Sequence, residues 1–135
     1  MKKININGVE YECLSNALTR LHYKKLFGTG IFKDISRLTT IYKARENVEK
    51  KLKEEGKTEE EIQNESAAFL VEFMDDIMDI IERFTYVIIY TANPDFESFE
   101  KWLSEESMAK IDFESEWIQE VTQYVMDTFR GQGVA

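Results

Sequence analysis

From residue 69 to residue 92, apolar side chains recur on nearly every side of a helical wheel: Phe69, Leu70, Phe73, Met74, Ile77, Met78, Ile80, Ile81, Phe84, Val87 and Ile88. A helix apolar around most of its circumference has to be enclosed by other helices, so this segment dictates a bundle built around it. It does not read as a membrane span, because Glu72, Asp75, Asp76, Asp79, Glu82 and Arg83 interrupt it and hydrocarbon penalises each of them. Residues 84–90 are rich in β-branched and aromatic side chains and, read in isolation, fit a strand. The unbroken helical spacing upstream predicts helix instead, giving a third helix over about 58–92.

The rest of the chain supplies what such a helix needs. Ile4, Ile6, Val9 and Tyr11 alternate around Asn7-Gly8, the pair best suited to a two-residue hairpin turn, which predicts strands near 2–6 and 9–13. Ser15 or Asn16 can cap a first helix to Phe27 with Leu18, Leu21 and Leu26 toward the core. A second helix follows from Ile31 to about Glu55, with Ile31, Ile35, Leu38 and Tyr42 on its apolar stripe. Thirteen of the twenty-one residues over 45–65 are charged, so this segment reads as a helical tip, closed by Gly56 and restarted by the capping box Thr58/Glu61. Asp95 is expected to cap a short helix to about Leu103. A last helix is expected from Phe113 through Trp117, Val121, Tyr124, Val125 and Phe129, closed by Gly131 and followed by a frayed tail.

The expected fold is mainly α: a helical bundle with a long central helical hairpin and an N-terminal two-stranded β-hairpin. It is expected as a single domain over 1–135, with the hairpin at 1–13, the helical body at 15–130 and the charged tip at 45–65. At 135 residues and 43% hydrophobic, the chain can bury a core without disulfides or metals. Cys13, the one cysteine, has no internal disulfide partner, and the Met-Lys-Lys-Ile-Asn start lacks the apolar stretch of a signal peptide, so a cytoplasmic setting is expected.

The net charge of −9 conceals a polarity. Residues 1–45 carry nine Lys/Arg against Glu10, Glu12 and Asp34, whereas residues 66–135 carry four Lys/Arg against fifteen Asp/Glu. Complementary potentials of this kind steer association between copies, although both charges also serve solubility alone. Head-to-tail contact would bring Arg20, Lys24, Lys25, Lys33 and Arg37 against Glu72, Asp75, Asp76, Asp79 and Glu82 of a neighbour. The same acidic row also fits a solvated helix edge or, less well, a metal site. Carboxylate-bridged metals normally add a Glu-x-x-His motif, and His22 is the only histidine. Nucleic acid is a poor partner for so acidic a chain.

Catalytic groupings are missing from the pattern. His22 has no Ser or Cys near it in sequence, Cys13 has no Cys-x-x-Cys companion, and Gly28-Thr29-Gly30 lacks the following Lys-Ser/Thr of a phosphate loop. No enzyme activity and no cofactor are expected. Tyr23, Phe27, Phe32, Trp102 and Trp117 stand at helical spacing and read as core, whereas Phe96 and Phe99 beside Trp102 can be read as part of an exposed apolar groove for a client helix.

Two motifs flank the central helix. Residues 23–35 read YKKLFGTGIFKDI, and residues 93–103 read NPDFESFEKWL. Their order and content resemble the tail assembly chaperones of long-tailed (siphovirus-type) bacteriophages and prophages, in which a "YxxxFGxxIxxD"-like turn follows an N-terminal hairpin and a late "PxFxxFxxWL" segment packs back on the central helix. The resemblance extends over nearly the whole chain and rests on packing motifs rather than chemical ones. It implies a protein of virion morphogenesis in the host bacterial cytoplasm that binds the tape measure protein and keeps it soluble while the tail tube polymerises. It further implies a homo-oligomer, and contact with tail tube protein through a longer frameshifted form, to which the short tail 131–135 would be the shorter counterpart. A small helical adaptor or regulatory protein acting as a dimer would have the same composition.

Overall fold

A computed structural model of the chain describes residues 1–130. Gly131 and the tail after it, expected as a helix stop and a frayed end, lie outside the described residues. The elements run β1 (Lys2–Ile6), β2 (Val9–Cys13), α1 (Ala17–Phe27), α2 (Ile31–Glu54), α3 (Glu59–Glu72), α4 (Met74–Ala92), α5 (Phe99–Leu103), a 3-10 turn (Glu106–Met108) and α6 (Glu116–Phe129). The fold is mainly α with an N-terminal β-hairpin. Contacts divide it into two compact units, Met1–Ile31 with Ile81–Ala135, and Phe32–Ile80.

In the first unit, β1 and β2 pair antiparallel from Lys2 opposite Cys13 to Ile6 opposite Val9. Asn7 at φ 50° and Gly8 at φ 92° make the turn, the left-handed geometry that Asn and Gly tolerate best. A lone hairpin is marginal in water, so its buried face, Ile4, Ile6 and Cys13, must be covered. β1 packs on α6, whose Trp117, Ile118, Val121, Val125 and Phe129 are buried, and the Leu14 amide donates to the Ile88 carbonyl of α4 at 2.9 Å. Residues 84–89 lie within α4 and are all buried, so of the two alternatives for this segment the helix is the one formed. Thr85 and Thr91 in this apolar stretch donate to the carbonyls of Ile81 and Val87 one turn back, both at 2.7 Å, so their hydroxyls are satisfied inside the core.

The second unit contains α2, α3 and the first turns of α4. Ile35, Leu38 and Ile41 of α2, Leu70 of α3, and Ile77 and Ile80 of α4 are its buried apolar residues. Gly56 closes the turn between α2 and α3 at φ 78°, and Thr58 caps α3 in a reciprocal box with Glu61. Across from one another stand Glu46, Glu49, Lys50 and Lys53 of α2 and Glu59, Ile62 and Gln63 of α3, lining an open cleft of about 410 Å³.

Four sequence expectations are corrected. The third helix is not continuous over 58–92, because α3 ends at Glu72 and Phe73 takes φ −108°, ψ 9°, its amide donating to Leu70 rather than running on as α-helix. The break places Asp75 and Asp76 in the first turn of a new helix, where its dipole favours negative charge. On α1, Leu18 and Leu21 do not face the core: they are 53% and 51% exposed, and Thr19 and Tyr23 are buried instead. Hydrogen bonds from this face to α4 set the phase. Asn16 accepts from the Leu18 amide while Thr19 Oγ1 accepts from the Asn16 amide and reaches Thr91 of α4 at 3.3 Å, turning the Thr19–Tyr23 face inward. Asp95 does not cap α5; it sits in the turn bonded to Asn93, and Ser98 is the cap. Phe113 does not start α6, since Asp112 accepts from the Glu114 amide with its side chain and from the Ser115 amide with its backbone, holding a turn until Glu116.

Candidate functional site

The residues that carry the two motifs meet on one helix. Tyr86 of α4 is buried and serves as a hub: its ring centroid lies 5.2 Å from Phe99, 6.0 Å from Trp102, 6.2 Å from Phe96 and 6.3 Å from Phe27. Phe27 and Phe99 meet each other edge to face at 5.1 Å, and Tyr23 stands 5.1 Å from Phe27 and 6.0 Å from Phe84. The helix stop at Gly28 (φ 70°) is what leaves Phe27 at the end of α1. The Ser98 cap similarly starts α5 so that Phe99 and Trp102, three apart, share its inner face. Edge and offset ring contacts of this kind contribute about 0.5–1.5 kcal/mol each beyond burial.

Tyr86, Tyr23 and His22 at the cluster's edge are hydrogen-bonded, whereas the buried Trp102 Nε1 has no partner. The Tyr86 hydroxyl donates to the Glu97 carbonyl at 2.7 Å, and burial, with Tyr90 and Glu97 nearby, raises its pKa. Arg83 Nε donates to the Tyr23 hydroxyl at 3.2 Å. His22 Nδ1 lies 3.1 Å from Thr91 Oγ1, and because the Thr91 proton already goes to the Val87 carbonyl, the imidazole is the donor in this pair. The Glu97 carboxyl has an oxygen shielded from solvent, and burial together with the adjoining Glu105 carboxyl pushes its pKa up. Cys13 is buried, and loss of solvent, reinforced by Glu120, drives its thiol up to about 12, which leaves it protonated and inert as a nucleophile at neutral pH.

Of the expected partner-binding residues, Trp102 is wholly buried and belongs to the core, while Phe96 and Phe99 are half-buried and already in ring contact with Tyr11, Tyr86 and Phe27. What they offer a partner is an aromatic edge rather than an open groove. The expected self-association residues are divided between the two units. Arg20, Lys24 and Lys25 are exposed on α1, and Lys33 and Arg37 are exposed on α2 in the other unit. Arg37 is engaged within its own chain, bonded to Asp76 at 2.8 Å and lying over the Phe73 ring. Glu72 ends α3, Asp75 and Asp79 are exposed on α4, and Glu82 is half-buried.

The sequence reading missed the exposed apolar residues Leu18, Leu21 and Val71. The Asn16/Thr19 box marks where α1 starts, but the bonds that turn its Thr19–Tyr23 face inward run to Thr91 and Arg83, far away in sequence. Among the described residues no group of three or more His, Cys, Asp or Glu is arranged to hold a metal ion, and no helix is long and apolar enough to cross a membrane. Compared with known proteins, the chain matches no family model, and no curated protein or solved structure is significantly similar to it.

Proposed function

We propose that this chain is a phage tail assembly chaperone, a protein without catalytic activity that binds the tape measure protein and keeps it soluble while the tail tube assembles. The observation that supports this reading is the meeting of the two motifs at Tyr86: Phe27 of the first and Phe96, Phe99 and Trp102 of the second converge on the central helix, where the resemblance implies that the second motif packs back. In this reading the half-buried Phe96 and Phe99 give a client helix an aromatic edge to pack on. Work would take place in the host bacterial cytoplasm, with tail tube protein reached through a longer frameshifted form.

Co-expression tests it. If the reading holds, a long helical chain is encoded beside this protein, between tube and baseplate genes, and it is expected to aggregate alone and to become soluble in a stable complex when both are made together. Phe96→Ser, at a half-buried position, is expected to weaken that complex while leaving the helix content of the free protein unchanged. A client equally insoluble with and without this protein would refute the proposal.

A further inference from the structure

We infer that the exposed face of α1 is a docking surface for a second copy of this chain, and that it binds the exposed face around Val71, Asp75 and Asp79. The inference does not rest on the proposed chaperone activity. Singly exposed leucines are ordinary on a protein surface. Here Leu18 and Leu21 are one turn apart and both more than half exposed, and Arg20, Lys24 and Lys25 stand on the same side of a helix that carries no carboxylate. The face therefore carries two exposed leucines beside three cations.

A counterpart of opposite charge exists elsewhere in the chain. Val71 is 68% exposed at the end of α3, and the break at Phe73 is followed by exposed Asp75 and Asp79, one turn apart on α4, with exposed Glu72 beside Val71. Lys24, Lys25, Glu72, Asp75 and Asp79 take part in no ion pair among the described residues, whereas Arg37 and Asp76 already satisfy each other. Each face thus offers an apolar patch beside unpaired charge, and the signs are opposite. Exposed ion pairs are individually worth about 0–1 kcal/mol, so Leu18, Leu21 and Val71 supply the attraction and the charges set register and encounter rate. Because the two patches differ, the contact is heterologous: it builds rings or open chains of copies rather than a symmetric pair.

Sedimentation equilibrium tests this on the full chain. The average mass of the wild type is expected to rise with concentration and to fall as salt is added. Leu18→Gln/Leu21→Gln is expected to weaken association at least about tenfold, from removal of two leucines from the interface. Lys24→Glu/Lys25→Glu and Asp75→Lys/Asp79→Lys are each expected to lose association alone and to regain it when mixed. Zero-length carbodiimide coupling of the unaltered protein gives a readout independent of any variant, with Lys24 or Lys25 joined to Asp75 or Asp79 between chains. A wild type of single-chain mass up to millimolar concentration overturns the inference. So does an oligomer without those cross-links, or an Asp75→Lys/Asp79→Lys variant that keeps its mass while the leucine variant loses it, which would point to α1 pairing with α1.

Discussion

The tip of the N-terminal hairpin is expected to act as a clamp, and Asn7 carries it. Its side-chain amide donates to the carbonyls of Ser107 at 2.6 Å and Lys110 at 2.9 Å, tying the turn to a segment a hundred residues away, while its backbone holds φ 50°. Two substitutions separate these roles. Asn7→Gly keeps the turn geometry and deletes both hydrogen bonds, which at about 0.5–1.5 kcal/mol each predicts a loss of about 1–3 kcal/mol. Asn7→Ala deletes the same bonds and leaves at φ 50° a residue that tolerates the left-handed region less well than Asn or Gly, which costs about 1–2 kcal/mol more than the glycine variant. The bond between the Tyr11 hydroxyl and Ser107 Oγ, 2.6 Å, remains in both variants and limits how far the hairpin can detach. Urea unfolding followed by the fluorescence of Trp102 and Trp117, both buried in the same unit as the hairpin, reads the result. With a slope of about 2 kcal/mol/M, a 2 kcal/mol loss moves the midpoint down by roughly 1 M. Asn7→Gly within 0.3 kcal/mol of wild type, a margin of about the usual experimental scatter, would refute the clamp, and equal stability of the Gly and Ala variants would refute the conformational part.

Cys13 is expected to resist thiol reagents in the native protein and to react at once in denaturant. Its folded pKa, about 12, lies above the ordinary value of 9.0, so the stability it contributes is complete below pH 9 and is lost as pH rises toward 12, a decline that Cys13→Ala should lack in alkaline melting curves. Glu97 has a raised pKa, which means that its ionisation opposes folding: stability is greatest below the ordinary carboxyl range and declines as pH rises through the folded value. Glu97→Gln is therefore expected to raise the melting temperature at pH 7 relative to wild type and to leave it unchanged at pH 4; a pH-independent difference would contradict this. Thr58→Ala removes the cap of α3 and is expected to cost about 1 kcal/mol, seen as faster amide exchange in its first turn, with protection in residues 84–89 unaltered.

The features legible in advance are those whose cause lies within about four residues. Asn7-Gly8 fixes a hairpin and its register because those two residue types tolerate positive φ. Gly28, Gly56 and the Thr58/Glu61 box mark the ends and starts of helices for equally local reasons, and the apolar run 84–89 announces a buried stretch of α4, whereas the apolar content upstream of it did not foretell the exposure of Val71. The candidate site was legible only as a set of aromatic residues. That Phe27 and Phe99 touch, and that Trp102 lies wholly inside while Phe96 stays half open, depends on helices far apart in sequence meeting at Tyr86.

Periodicity settles that a segment is helical and leaves open how the helix is rotated about its axis. α1 shows the difference. Its leucines form an apolar stripe as good as the one formed by Tyr23 and Phe27, and hydrophobicity alone favours burying Leu18 and Leu21. The rotation is decided by hydrogen bonds that exist only in the folded chain, Thr19 and His22 to Thr91 and Tyr23 to Arg83, which draw the other stripe onto α4 and leave the leucines in solvent. The break at Phe73 and the pairing of Arg37 with Asp76 are of the same kind. Residue types and spacing encode elements, caps and turns because those interactions are short in sequence. The face each helix presents, and hence the surface left for partners, follows from long-range packing that reconciles all the elements at once.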